Sequence, residues 1–446
     1  MTNSTFTSNL YEAIRLVKSR LTASEVKILQ NGGEVRRNYY SETYYSKDYY
    51  WQVSLYDQAH LKIEKSSIEH GEHGGIYAES SEVEIADCIV AHHQSNGLEV
   101  TNSSTAKVVG GTFRANLNDQ IAGYNNSTLE VRDAVLDGKG ISRGGLSMWN
   151  GHVAIKKCQI HSHTYRGVWV RGGSGCTIED SQLENNGPEG LVLFFRYSQL
   201  FVNEAEKVAL SDLRVIGGKG GGVYLESCKA SFVSKSIIRG NQGPGLWARR
   251  TQLTVEKTEF QDNGKPDTSF GYSYSYNQYM QRYMQIPYCY QILAEEVSCV
   301  QLKEVQIYEG RHGGILVRNH STVTLRGGSI HGHGREAIAV QNIGGISKIV
   351  VIGARIFGNA QQTDAKVIVK YRGTNAQQTV AQVIVNGGTV EMEDACIQDS
   401  PHGGALVENV GTLILKRCQV HNNRAYNLRS DWYGRVEFID MPPVED

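Results

Sequence analysis

Apolar and polar residues alternate with a period of two over most of the chain, in short runs that recur at a steady spacing. Leu129-Glu130-Val131, Val323-Thr324-Leu325 and Val436-Glu437-Phe438 show the alternation, the mark of a strand with one buried face. A longer phrase returns with it: Val153-Ala154-Ile155-Lys156-Lys157-Cys158-Gln159-Ile160-His161 is matched by Leu413-Ile414-Leu415-Lys416-Arg417-Cys418-Gln419-Val420-His421. After a short polar turn comes a second phrase, Gly-apolar-x-apolar, as in Gly167-Val168-Trp169-Val170 and Gly314-Ile315-Leu316-Val317. With the first apolar residue of the first phrase as a marker, units start at Leu61, Val83, Ala106, Leu129 and Val153 and continue through Val300, Val323 and Leu413 to Val436. Most lie about 22 to 24 residues apart, a period that indicates a solenoid. No unit holds the roughly 10 to 12 residues of 3.6-residue periodicity that a helix needs. The pattern predicts an all-β fold, a parallel β-helix of about fifteen coils in which residues one unit apart are stacked neighbours.

The units His73-Gly74-Gly75-Ile76 and His312-Gly313-Gly314-Ile315, with Gly167 to Val170, resemble the right-handed β-helix repeats of the pectin-lyase-like superfamily, in the NosD or CASH flavour also found in some F-box proteins. The resemblance covers about Leu61 to Val436 and implies a right-handed coil. It leaves function open, since the superfamily includes lyases, hydrolases, epimerases and non-catalytic binding domains.

Asn9 to Leu21 departs from the strand pattern. Leu10, Ile14, Val17 and Leu21 share one helical face, and Asn9 with Glu12 three residues on suits an N-cap. This predicts a helix capping the open sheet edges of the first coil. Tyr39-Tyr40, Tyr44-Tyr45 and Tyr49-Tyr50-Trp51 follow as an aromatic wrap. The expected organisation is therefore a cap and wrap over 1–60 and the β-helix over 61–446, with insertions at about 194–207, 264–291 and 360–382. The second insertion is rich in tyrosine, Tyr274 and Tyr276 among them, and long loops on a rigid scaffold are where function tends to sit.

Composition narrows the partners. A net charge of −1 gives no general attraction to nucleic acid or an anionic membrane. No apolar run approaches the roughly 18 residues of a membrane-spanning helix. The start, Met1-Thr2-Asn3-Ser4-Thr5-Phe6, lacks the features of an export signal, so a cytoplasmic location is expected. Cys88, Cys158 and Cys418 fall at one place in their units, which reads as buried reduced thiols.

Two groups of residues offer chemistry. Between the second and third insertions lie Arg311, His312, His331, His333, Arg335 and Glu336, the densest set of titratable types in the chain. A histidine base beside Glu336, with Arg311 or Arg335 holding a carboxylate, would suit an intracellular carbohydrate-active enzyme of lyase, hydrolase or epimerase type. Against this, His, Asn and Asp recur at the same corner throughout, from His93 and Asn116 to Asn359 and Asn422, as a ladder serving turn backbone would require. Stacked histidines also offer metal ligands, but coil spacing alone sets no ligand geometry, and neither a metal nor a cofactor is expected.

The second group is a face. The x residue of the Gly phrase points outward, giving a column Tyr77, Glu99, Ser147, Trp169, Val192, Tyr224, Trp247, Leu316. The residue after the phrase gives a second: Glu79, Thr101, Trp149, Arg171, Phe194, Glu226, Arg249, Arg318. Trp169, Arg171, Tyr224, Glu226, Trp247, Arg249 and Arg318 on such a face fit a scaffold that holds an extended ligand, a glycan or a protein segment. No tight carboxylate pair on adjacent coils is evident, which favours the scaffold over the enzyme. Oligomeric state is left open.

Overall fold

The computed structural model describes residues 1–32, 34–38, 45–188, 197–264, 290–310, 312–341, 345–359 and 381–440. They form two compact units, Met1–Leu191 with Arg196–Arg214, and Val192–Phe195 with Val215–Asp446.

Each coil is built from three strands in a fixed order. A strand of four to six residues from the Gly phrase, such as Ile76–Glu79, lies in the first sheet. A five-residue strand such as Glu82–Ala86 follows in the second, and a three-residue strand such as Ile89–Ala91 in the third. Within these three sheets each strand pairs in parallel with its equivalent one coil away. In the first unit Leu21, Leu61, Val83, Ala106, Leu129, Val153, Cys176 and Val208 stand in register. In the second unit Ser231, Leu253, Val300, Val323, Ile349, Val390, Leu413 and Val436 do the same. The markers from Leu61 to Leu413 are buried, because period-two alternation turns every second side chain of each strand into the coil.

The sequence expects about fifteen coils, and among the described residues the three sheets hold sixteen strands each. The extra coil is the stretch read as a helix. Ile14–Val17 and Arg20–Ser24 are strands, paired with Val53–Tyr56 and His60–Glu64. Ile14 and Ala23 are buried, whereas Leu10 and Val17 are about half exposed, so the helical face is not the buried one. Among the described residues there is no helix, and hence none long and apolar enough to cross a membrane.

Turns between strands repeat too. The residue after each strand of the second sheet is left-handed, as in Lys65 (φ 48°), Asp87 (φ 51°), Asp133 (φ 55°) and Lys157 (φ 54°). This conformation costs an L residue about 1–2 kcal/mol. It turns the chain while keeping the N–H in the ladder: Lys65 N donates to Ala86 O and Asp87 N to Val109 O, both at 2.9 Å. The next position is small and buried. Cys88, Cys158 and Cys418 sit there and donate their thiols to the carbonyls of Ala86, Lys156 and Lys416. Burial pushes the Cys88 and Cys158 thiols up to about 11.

At the corner between the third and first sheets runs a buried polar ladder. Asn116, Asn186, Asn263 and Asn359 each donate Nδ2 to a carbonyl of the preceding coil, those of Val90, Ile160, Ile238 and Ile330. Each also donates to the Oε1 of a glutamine that opens the following first-sheet strand: Gln120, Gln199, Gln291 and Gln382. Asn31 and Gln52 repeat the pair. Four of the five pairs clasp the ends of an excursion, and the first encloses an antiparallel hairpin, Glu34–Asn38 with Tyr45–Tyr49. Where no glutamine stands, most strands open with the Gly of the repeat, Ala337 being an exception. A Cβ on Gly97, Gly167 or Gly245 would lie 2.6 to 2.8 Å from the Nδ2 of Asn116, Asn186 or Asn263. At these three coils the glycine leaves room for its neighbour's side chain.

Candidate functional site

The histidines of the second unit do not converge on one pocket. His333 is fully buried and belongs to the ladder: its Nδ1 and backbone N both lie near Asn359 Oδ1, at 2.8 and 3.1 Å. Its ring fills the space that Gly310 leaves open, reaching toward Gln291 at 3.5 Å. The same arrangement recurs at Gln52, Gly71, His93 and Asn116, where Gln52 Nε2 meets His93 Nε2 at 2.9 Å. His163 repeats it over Gly138 against Asn186. Burial lowers His93, His163 and His333 to about 4. The reading of His333 as a base therefore gives way to a structural role.

His331 points the other way, stacked between Tyr308 and Phe357 at centroid distances of 5.4 and 4.7 Å on the outside of the third sheet. Glu336 is buried, accepts a hydrogen bond from Tyr290 and has the Arg335 guanidinium 3.5 Å away. His312 is half-buried, and the Arg335 N–H donates to its carbonyl. Arg311, Tyr274 and Tyr276 lie outside the described residues.

The outward residues of the first sheet in the second unit are brought together, but into a closed network. Tyr224 stacks on Trp247 at 4.5 Å, and the two are 2% and 4% exposed, so neither ring offers a face to a ligand. Trp247 Nε1 donates to Glu295 at 3.0 Å, and Arg318 donates to the other oxygen of that carboxylate at 2.8 and 2.5 Å. Arg249 pairs with Glu226 and Glu296, and Arg250 with the same two.

The same sheet in the first unit is different. Glu99, Ala122, Ser147, Trp169 and Phe201 form the outward column, and Tyr124, Trp149, Arg171 and Asn203 the second. Phe201 stands where Val192 was expected, because Leu200–Asn203 is the strand that pairs with Val168 to Arg171. Ala122 and Ser147 are small, and Asp119 reaches over to take a 2.6 Å hydrogen bond from Ser147. Asn96 links two carboxyl-bearing residues: its Nδ2 donates to Glu99 at 2.7 Å and its Oδ1 accepts from the Asp119 N–H at 2.9 Å. Burial raises the Glu99 carboxyl above its ordinary range, the Asn96 hydrogen bond opposes this, and the charge of Asp119 adds to it. Burial raises Asp119 as well, against Ser147, Arg143 and Arg166. Tyr124, desolvated and near both carboxylates, is pushed up to about 12.

Beside this pair lies a half-exposed aromatic row. Trp149 meets Trp169 edge-on at 4.9 Å, Tyr124 lies 6.3 Å from Trp149, and Arg166 and Arg171 sit over Trp169 and Trp149 at 4.0 and 5.5 Å. The Trp169 indole N–H is buried and has no hydrogen-bond partner among the described residues. Sequence reasoning found Glu99, Trp149, Trp169 and Arg171 but missed Asp119 and Tyr124. Their strand opens with Gln120 in place of the glycine that marks the phrase, so that coil dropped out of the columns. The exchange of Gln for Gly at that position was the available signal.

Stacked coils of three parallel sheets with such an outer face define a β-helix protein. The family model described as right handed beta helix region matches residues 1–136 and 144–281, over half of the chain, and the chain belongs to that family. No curated protein sequence matches it. Among solved structures it is similar to the A-module of mannuronan C-5 epimerase AlgE4 from Azotobacter vinelandii, at 12% identity and a TM-score of 0.36, covering 83% of this chain and 88% of that one. The AlgE6 A-module from the same organism aligns at 11% identity and a TM-score of 0.31, over 87% and 92%. ORF18 of Geobacillus virus E2 aligns at 10% identity and a TM-score of 0.27, over 72% and 53%.

Proposed function

We propose that this protein binds an extended glycan along the outward face of the first sheet in its first unit. The observation that carries the reading is the Glu99–Asp119 pair, linked through Asn96 and set beside the half-exposed Trp149–Trp169 row. Aromatic rings stack on the C–H faces of sugars, and carboxylates accept from sugar hydroxyls. Tyr124 extends the row on the neighbouring coil, and Arg166 and Arg171 border it. Titration of the full chain with neutral and uronic-acid oligosaccharides, followed by tryptophan fluorescence, tests this. Saturable binding that weakens about tenfold or more in Trp169→Ala is expected, in line with the 1–3 kcal/mol scale of a lost aromatic anchor. No saturation with any glycan, or wild-type affinity in the variant, removes the proposal.

A second reading is supported by the raised carboxyl of Glu99. A carboxyl raised by burial and by a neighbouring acid suits proton transfer to a bound sugar. Glu99→Gln should then keep glycan affinity while lowering turnover about a hundredfold. Equal turnover in the variant leaves binding as the whole function.

A further inference from the structure

A separate group of potential ligands lies at the corner after the third sheet in the first unit. Glu69, His70 and His92 come from two adjacent coils, Ser67–Glu69 being paired with Ile89–Ala91. Each offers one ligand atom, and the three atoms lie within 4.8 Å of one another. The imidazoles of His70 and His92 are parallel, 5° apart in plane and 4.8 Å between centroids. Both residues are exposed, and both occupy left-handed turn positions with φ of 61° and 62°.

The ladder does not account for these two histidines. His93, the neighbour of His92, is the buried one that bonds Asn116 and Gln52. At the position of His70 and His92, other coils place Ala115, Asn185, Gly240 or Gly332, all left-handed as well, so the turn does not call for an imidazole. The two rings lie side by side at the surface with a carboxylate next to them.

We propose that Glu69, His70 and His92 form a binding site for a divalent transition-metal ion of the zinc, nickel or copper kind. Two imidazole nitrogens and one carboxylate oxygen match that borderline class and not calcium or magnesium, which take oxygen ligands. Tetrahedral binding at metal–ligand distances of about 2.0–2.1 Å places ligand atoms roughly 3.3 Å apart, so atoms now as far apart as 4.8 Å would draw together. The two exposed imidazoles, on left-handed turns of adjacent coils, have the freedom to do so. The fourth position would face solvent. Arg114 opposes the site, its guanidinium being 3.9 Å from Glu69, where it competes for the carboxylate and repels a cation.

Chelator-stripped full chain titrated with zinc by calorimetry, and with cobalt by visible absorption, tests the assignment. One saturable site is expected, with a cobalt band characteristic of imidazole ligation. His92→Ala and His70→Ala should each weaken zinc binding about tenfold or more, the scale on which metal sites respond to a lost partner. Arg114→Ala should tighten it, and His60→Ala, in the neighbouring group with Glu82 and Glu84, should leave it unchanged. The assignment is overturned by the absence of saturable uptake, by wild-type affinity in both His70→Ala and His92→Ala, or by a loss in His60→Ala that those two do not share.

Discussion

Each buried histidine is held in one tautomer by its neighbours. Asn116 Oδ1 can only accept, so His93 Nδ1 must carry the proton, and Gln52 Nε2 can only donate, so His93 Nε2 must be bare. A second proton on that nitrogen would face an amide N–H. The consequence for stability has a definite sign. The folded values near 4 lie below the unfolded value near 6.5, so between those limits the unfolded chain takes up protons that the native chain refuses. Stability is complete above about pH 6.5 and falls as pH is lowered toward 4, with each histidine contributing at most roughly 3 kcal/mol. Urea unfolding across this range should show the loss, and His163→Gln should reduce its steepness. An unchanged pH slope in the variant would mean that His163 is already charged in the native state. Glycine makes the complementary point: Gly167→Ala forces a Cβ to within 2.8 Å of Asn186 Nδ2 and should cost about 1–3 kcal/mol by thermal melting.

At the scale of the element, the same three strands are reused with different outer surfaces. In the second unit the first sheet covers its outward charges: Glu295 is 4% exposed and takes hydrogen bonds from Trp247 and Arg318. Removing the guanidinium leaves a buried carboxylate with less compensation, so Arg318→Met should destabilise by about 3–5 kcal/mol in denaturant titrations. The residues most suggestive of ligand binding in the sequence, Tyr224, Trp247, Arg249 and Arg318, are thus the ones engaged with their own chain. Corner elements obey a similar logic. Gln291→Ala strips an acceptor from both the backbone and the side chain of Asn263, and a loss of about 1–3 kcal/mol is expected in the melting temperature series.

For the whole molecule, the repeat makes whole coils the natural unit of change. Deleting residues 83–105 joins Glu82 to Ala106, the register partner of Val83, and should preserve the parallel sheets as read by circular dichroism. Deleting residues 83–93 alone shifts the faces of the following strands and should abolish folding. The architecture was legible in the sequence because burial alternates strictly: markers from Leu61 to Val208 in the first unit and from Ser231 to Leu413 in the second stand in register as their spacing predicts. The first coil was not, because Leu10, Ile14, Val17 and Leu21 fall at helical spacing by belonging to two strands and a turn. The candidate site was half legible. Trp149 and Trp169 carry the repeat's own signature, while Asp119 acts from the start of a strand whose opening residue breaks it. Exposure was illegible throughout, since Trp169 and Trp247 occupy equivalent positions and only one is open to solvent. The Asn–Gln clasp has a consequence for how such a chain can diversify. It closes over three intervening residues between Asn116 and Gln120, and over a whole hairpin between Asn31 and Gln52, with the same two atoms. Length at that corner is therefore invisible to the interior, and new segments can be spliced in or lost there like cartridges while the barrel behind them keeps its shape.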